Sequence, residues 1–291
     1  MGHVYYHFPD DKQFSLDFAT PDPAEIVSRI VDYDGDVAVK VRQYNLNEEL
    51  YVVYTSRGGG GVVKNLDFDL SDALEKMESD NGVIVTRLFE MYRALLSQNE
   101  EEGGTPVEAY KNIDIDAFPE ALDEVSWDGS ATDVAGRLAS NLILKHALPN
   151  ANHRTAVALV QFYLRRINPD FSMPETAVQI DSEEYDWREW VNEYINQSKR
   201  LLTVRRNNVL FKHLREFGVT TVERKHEVKI DLTEYELDMY PHEAKKRYAR
   251  EHEQLWIGFV EEAVERAGYS EIKNAPAMSK AAFAERLRQF E

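Results

Sequence analysis

A dense group of polar residues lies in the middle of the chain, between two segments with helical spacing. The stretch KHALPNANHRT, residues 145–155, contains two histidines, two asparagines, an arginine and a threonine around one proline. If His146 ends one helix and Asn152 begins the next, the exposed N–H groups and positive dipole end of the second helix face the loop. Arg154 adds a fork of donors that matches phosphate oxygens. The spacing therefore indicates an anion site.

His146 is the candidate base of this site. A histidine fixed across the loop can take the proton from an attacking hydroxyl group, and Asn152 can cap the helix or donate to a phosphate. These residue types suit phosphoryl or nucleotidyl transfer, in which positioning and charge stabilisation do most of the work. The alternative is an ordinary helix–helix turn, because Pro and Asn are common in such turns and a terminal His also interacts with the helix dipole.

The residues from His146 to Thr155 resemble the signature of the Fic/Doc (Fido) family. That signature is His, any residue, Phe, two residues, Gly or Ala, Asn, Gly or Lys, then Arg. The positions that match it in register are His146, Ala151, Asn152 and Arg154. The continuation RTAVALVQFYLRR is similar to the Doc branch, where Ala-Asn-Lys-Arg-Thr opens a long amphipathic helix. The resemblance covers residues 82–198 and implies a Fido-like helical core.

The resemblance implies a transferase that uses ATP or another nucleotide. It moves AMP or the γ-phosphate to a Ser, Thr or Tyr hydroxyl of a target protein, with a translation factor as the target in the Doc branch. His146 would be the base. The implied phosphate-binding positions are Asn150, Ala151, Asn152, His153, Arg154 and Thr155. The family's acidic position, which holds Mg²⁺, is Asn150 here.

Several positions depart from the family pattern. Leu148 replaces the Phe and can still anchor the loop in the core. Asn150 offers an uncharged amide oxygen, which is a weak ligand for a hard cation such as Mg²⁺. His153 replaces the Gly or Lys, and Val157 stands where the AMP-transferring branch has a second arginine. These departures leave open a Doc-like kinase, another nucleotide chemistry, or a catalytically degenerate nucleotide- or protein-binding module.

The family is commonly restrained by a helix with Ser or Thr, three residues, Glu, then Gly or Asn. Two stretches have the Ser and Glu, but Lys76 follows Glu75 in one and Glu102 follows Glu101 in the other. Restraint by a separate antitoxin protein is therefore the expectation if the chain is the toxin of a toxin–antitoxin pair.

The surrounding elements predict a mainly α protein. Residues 1–80 read as a small α+β module, with a hairpin from Val37–Tyr44 to Leu50–Ser56 and a flexible glycine tip at residues 58–61. Residues 81–200 read as the helical core, in which Ser130 and Asp133 have capping-box spacing. Residues 201–291 read as a mainly helical extension, with an extended stretch near residues 219–232. The sequence thus predicts three successive domains.

Composition limits the classes of partner. The 291 residues include no cysteine, which excludes a disulfide scaffold and a thiol nucleophile, and no run of apolar residues approaches the length of a membrane helix. With no signal-peptide pattern, a cytoplasmic protein is expected. A net charge of −18 makes nucleic acid an unlikely partner.

Two further features are predicted to be structural. The basic run at residues 199–215 reads as a solvated helix face, with contact to RNA as the alternative. Histidines that lack paired metal-ligand spacing are expected to be solvated or to cap helices, namely His213, His226, His242 and His252.

Overall fold

The computed structural model describes residues 2–31, 33, 37–57, 61–62, 71–101, 108–109, 111–178 and 186–289. Within these residues the strands are β1 (Gly2–Tyr5), β2 (His7–Phe8), β3 (Asp11–Thr20), β4 (Val37–Asn45), β5 (Glu49–Arg57), β6 (Gly61–Val62), β7 (Glu108–Ala109), β8 (Val219–Glu223) and β9 (Lys229–Asp231). Gly58, Gly59 and Gly60, the greater part of the predicted glycine tip, lie outside the described residues.

Helices dominate the described part of the chain and account for 58% of its residues, so the prediction of a mainly α protein is confirmed. The α-helices are α1 (Pro23–Val31), α2 (Ser71–Glu75), α3 (Ser79–Glu101), α4 (Ala117–Asp123), α5 (Ala131–Lys145), α6 (Asn152–Ile167), α7 (Glu189–Glu216), α8 (Pro241–Arg266) and α9 (Lys280–Arg288). Short 3-10 turns cover Lys225–Glu227, Leu232–Glu234 and Ser270–Asn274.

Contacts divide the chain into two compact units, and each unit is discontinuous in sequence. The first contains Met1–Gly58 and Asn196–Ala249, and the second contains Gly59–Ile195 and Arg250–Glu291. The expectation of three successive domains, 1–80, 81–200 and 201–291, differs from this grouping and stays a prediction about independent folding. The difference arises because strands from opposite ends of the chain pair within the first unit, and local patterns do not encode such pairing.

The described part of the first unit forms two sheets. The four-stranded sheet has the order β2-β3-β5-β4, and β4 pairs antiparallel with β5 from Val37↔Arg57 to Asn45↔Glu49, which confirms the predicted hairpin. The other sheet has the order β1-β8-β9, with β1 parallel to β8 and β9 antiparallel to β8. Helix α1 buries Ile26 against Phe18 of β3 and Val53 of β5. This burial of apolar surface stabilises the four-stranded sheet on one face.

The second unit contains the two helices that flank the polar stretch. Helix α5 begins with the predicted capping box: the Ser130 hydroxyl accepts the Asp133 N–H at 3.2 Å, and the Asp133 carboxylate accepts the Ser130 N–H at 2.9 Å. Helices α5 and α6 pack directly against one another. The predicted apolar stripe of α6 is buried at Val157, Val160 and Leu164. The loop between α5 and α6 is thus held at both ends by helices fixed in the core.

A glycine sets the closest approach between α5 and α8 in the second unit. A Cβ atom added to Gly136 would lie 2.6 Å from both the N and Cα atoms of Ile257. Atoms at that separation overlap, so α8 can pack this closely against α5 only because residue 136 has no side chain. Trp256, the neighbour of Ile257, is completely buried. The close approach therefore fixes the position of an aromatic ring that contacts the candidate site.

Candidate functional site

Two residues with left-handed backbone angles define the loop between α5 and α6. His146 caps the C-terminus of α5 with φ 51° and ψ 43°, and its N–H donates to the carbonyls of Leu142 and Ile143, each at 3.1 Å. Ala151 caps the N-terminus of α6 with φ 56° and ψ 20°. The left-handed region costs a residue with a side chain about 1 kcal/mol or more, so surrounding contacts must hold both turns.

Asn152 supplies the main contact that holds the loop. Its Oδ1 accepts the Leu148 N–H at 3.1 Å, and its Nδ2 donates to the Leu148 carbonyl at 3.0 Å. Asn152 is 7% exposed and Leu148 is 3% exposed, so both bonds are shielded from water. Leu148 therefore anchors the loop in the core, as predicted from its place in the motif. The Asn152 amide faces this loop backbone in the structure, and its role as a phosphate ligand stays a prediction.

Replacing Asn152 with alanine is expected to lower the free energy of unfolding by about 2 kcal/mol. The substitution leaves the buried N–H and carbonyl of Leu148 without partners, and an unsatisfied buried polar group costs about 1–3 kcal/mol. The measurement is urea unfolding followed by circular dichroism. Asn192→Ala on the exposed face of α7 is the matched control and should change stability by less than about 0.5 kcal/mol. Equal unfolding midpoints for the two variants would show that the clamp contributes nothing.

The first turn of α6 places helix N–H groups beside the loop. The Thr155 N–H bonds to the Ala151 carbonyl at 2.9 Å, and the Thr155 hydroxyl donates to the same carbonyl at 3.1 Å. The N–H groups of Asn152, His153 and Arg154, which precede that first bond, have no acceptor within the helix. With the helix dipole they form a turn suited to an anion. Thr155 is 1% exposed, so its hydroxyl stabilises the turn.

Asn150, the predicted metal ligand, uses its side-chain oxygen locally. Its Oδ1 accepts the N–H of Ala151 at 2.6 Å. In the part of the chain that the structure describes, no three His, Cys, Asp or Glu residues come together in a way that could hold a metal ion. One neutral amide oxygen that already accepts a hydrogen bond is a poor ligand for Mg²⁺, which prefers carboxylates and phosphates. The loop's own donors therefore do not fit a magnesium ion, and Mg²⁺ stays a prediction.

The charge at the start of the loop is largely compensated. Lys145 bonds to Glu120 at 3.1 Å and to Glu124 at 2.7 Å. Burial disfavours the charged ammonium, but the bonds to Glu124 and Glu120 outweigh it and raise the pKa of Lys145. Lys145 thus forms ion pairs with Glu120 of α4 and with Glu124, the residue after it. Arg154, partly exposed in the first turn of α6, is the guanidinium that the motif places beside the helix donors.

His153 contacts a buried aromatic network that the sequence did not predict. Its ring lies 6.0 Å from the ring of Trp256. The Trp256 indole N–H donates to His252 Nε2 at 3.3 Å, and His252 Nδ1 lies 2.7 Å from the Ser140 hydroxyl. The indole has no lone pair to accept a proton, so Nε2 is the acceptor and Nδ1 carries the hydrogen. The network links the loop to the core of α5 and α8.

His252 corrects one expectation from the sequence. The sequence predicts a solvated or helix-capping histidine, but His252 is fully buried in the middle of α8. Its partners Ser140 and Trp256 explain how a polar ring can lie in the core, because both ring nitrogens have a hydrogen-bonding partner. Ser140 and His252 are separated by 112 positions in the chain. Only the α5–α8 packing brings them together, so no local spacing could have indicated the pair.

Comparison with known proteins assigns the chain to a family. A model described as a family of unknown function (DUF8172) matches residues 1–291, so the chain belongs to that family. No curated protein and no solved structure matches the chain. Among the described residues, no helix combines the length and apolar character needed to cross a membrane.

Proposed function

We propose that the chain is a Fic/Doc-like transferase that moves a phosphoryl or nucleotidyl group from a nucleotide to a Ser, Thr or Tyr hydroxyl of a target protein. The observation that carries the proposal is the geometry of the loop. The motif positions His146, Ala151, Asn152 and Arg154 flank a short turn that joins two buried helices. A base at the end of one helix and anion-facing donors at the start of the next are the two parts that the chemistry needs.

In the proposed reaction the N–H groups of the first α6 turn and Arg154 hold the phosphates of the nucleotide. His146 accepts the proton of the target hydroxyl while the hydroxyl oxygen forms a bond to phosphorus. The bond from phosphorus to the leaving group breaks, which releases pyrophosphate if AMP is transferred and ADP if phosphate is transferred. Asn152 contributes by holding Leu148, and thereby the shape of the loop between His146 and the helix donors.

Two contacts favour a second candidate, a Fido-like binding module without transfer activity. The Asn150 side-chain oxygen accepts the next backbone N–H, and His153 lies against Trp256. Asn150 and His153, which depart from the family motif, thus both make contacts that hold the loop. Such a module would bind a nucleotide or a protein through the same turn and leave it unchanged. Only the transferase candidate includes restraint by an antitoxin and a translation factor as the target.

Transfer of label from ATP distinguishes these candidates. The full chain is incubated with purified translation elongation factors and with ATP labelled at either the α- or the γ-phosphate. Label from α-ATP indicates AMP transfer, and label from γ-ATP alone indicates phosphorylation. Nucleotide binding by isothermal titration without any label on protein favours the binding module. Absence of both binding and label, with and without Mg²⁺, contradicts the proposal. Arg154→Met is expected to weaken nucleotide binding by about 10-fold, the effect of losing one charged donor group.

A further inference from the structure

Arg224 is a cation that has no counter-ion among the described residues of the first unit. It directly follows β8, and its Nη1 donates to the Lys199 carbonyl at 2.8 Å. Its guanidinium carbon lies 5.7 Å from the Tyr6 ring centroid. Its Nε is buried and has no hydrogen-bond partner among the described residues. No carboxylate within ion-pair distance of Arg224 occurs in that same part of the chain. Among the described residues, the Lys199 carbonyl therefore accepts a hydrogen bond from a side chain that has five N–H donors.

An arrangement of this kind is costly unless an anion completes it. A guanidinium keeps its charge in proteins. Removing such a charge from water without a partner costs on the order of several kcal/mol of hydration free energy. Burial lowers the pKa of Arg224, which reflects this loss of hydration. Backbone carbonyl and aromatic ring contacts compensate only part of it. A half-buried cation whose Nε is buried without a partner among the described residues therefore points to a ligand that supplies negative charge.

The surroundings of Arg224 are positive, although the whole protein has a net charge of −18. The charge of Arg206, an exposed residue, also lowers the pKa of Arg224. His7 in β2 experiences the same positive field. Burial, followed by the charges of Lys225, Arg224, Lys12 and His226, lowers the pKa of His7 to about 3. A local positive field within an acidic protein concentrates a small anion at that place.

Three cations of the basic run contact other groups of the protein, which argues against a track for nucleic acid. Lys212 and Arg215 both pair with Asp238. The Arg200 Nε donates to the Lys229 carbonyl at 2.8 Å. A nucleic acid needs a row of cations along its backbone, and these pairings interrupt such a row. Arg224 differs from Lys212 and Arg215 because no carboxylate among the described residues pairs with it.

We propose that Arg224, together with Arg206 and the Tyr6 hydroxyl, binds a phosphoryl group in the first unit. The Tyr6 oxygen accepts the Asn207 Nδ2–H at 3.3 Å, so the hydroxyl hydrogen remains to be donated to a ligand oxygen. A phosphate presents several acceptor oxygens and about two negative charges, which match two guanidinium groups better than a single carboxylate does. The ligand is free phosphate or a phosphate monoester. This site shares no residue with the loop between α5 and α6.

Isothermal titration of the full chain at low ionic strength tests the proposal, with sodium phosphate, O-phosphoserine and acetate as probes. Phosphate is expected to bind wild type, and Arg224→Met to weaken it by about 10-fold or more, since charged hydrogen bonds are lost. Arg215→Met removes an arginine already paired with Asp238 and should leave the affinity unchanged. The variant Arg154→Met and the double variant Arg154→Met/Arg224→Met separate this site from the proposed nucleotide loop. Phosphate binding that persists in Arg154→Met and is lost in the double variant belongs to Arg224, whereas binding already lost in Arg154→Met belongs to the loop and contradicts the proposal. If O-phosphoserine binds more tightly than phosphate, the ligand is a phosphate monoester. If phosphate binds more tightly, the ligand is free phosphate.

A second variant and a second readout test the proposal even if Arg224→Met does not fold. Arg206→Met alters an exposed residue and should weaken phosphate binding several-fold without changing the unfolding midpoint. In NMR titrations of wild type, the pKa of His7 should rise when phosphate is present, because the anion offsets the cations that depress it. The proposal is overturned by equal phosphate affinity in wild type and Arg224→Met, by acetate binding as tightly as phosphate, or by no phosphate binding at tens of millimolar.

Discussion

His146→Asn is expected to lower the rate of label transfer from ATP to the target protein by about 100- to 10,000-fold, the usual contribution of a general base. Asparagine cannot take the proton of the attacking hydroxyl group at neutral pH. It is preferred to alanine because residue 146 has φ 51°, and asparagine adopts the left-handed conformation more readily than most residues. The C-terminal cap of α5 should therefore persist. The measurement is the initial rate of transfer at saturating nucleotide.

The two histidines of the loop provide the control for this assignment. His153→Asn removes the imidazole that lies against Trp256, and it should reduce the transfer rate by less than about 10-fold, because His153 is assigned to positioning. Nucleotide affinity should be nearly the same in His146→Asn and wild type, since the proposed phosphate donors are elsewhere. If His153→Asn loses most of the activity and His146→Asn keeps it, the base is His153 and the assignment to His146 is wrong. Thermal unfolding of both variants shows whether either effect is structural.

Local signals predicted the elements around the site well. The capping box at Ser130 and Asp133, the start of α6 at Asn152 and the buried anchor Leu148 follow from short-range patterns of polarity and spacing. These features depend on residues within one or two helical turns, so the sequence contains the information directly. The helix–loop–helix arrangement was therefore predictable, including which residues flank the loop.

The contacts that shape the site were not predictable in this way. The left-handed conformations of His146 and Ala151 occur at residues that rarely adopt them, and they depend on tertiary contacts. Trp256 approaches His153 from a helix about one hundred residues further along the chain. The amide of Asn152 could cap a helix, bind a ligand or hold a loop, and the residue type fits all three. Long-range packing chooses among such options, and the sequence alone does not rank them.

Gly136→Ala is expected to lower the free energy of unfolding by about 3 kcal/mol, at the upper end of the usual cost of overpacking a core. The new methyl group would lie 2.6 Å from two backbone atoms of Ile257, and a helix backbone cannot rotate away as a side chain can. In an unconstrained helix the same substitution stabilises by about 1 kcal/mol. The sign of the effect therefore tests whether α5 and α8 are in direct backbone contact. Urea unfolding of wild type and variant gives the answer.

Gly258→Ala is the matched control, because Gly258 also lies within a helix of the second unit. Its added methyl group would be 3.8 Å from the Tyr194 ring, which is an ordinary contact distance. This variant should be unchanged or more stable by up to about 1 kcal/mol. Stabilisation in both variants would refute the close packing of α5 on α8. If Gly136→Ala alone destabilises, the position of Trp256 under His153 depends on that contact. Nucleotide binding should then weaken in Gly136→Ala at temperatures where the variant is still folded, since α8 must shift to relieve the overlap.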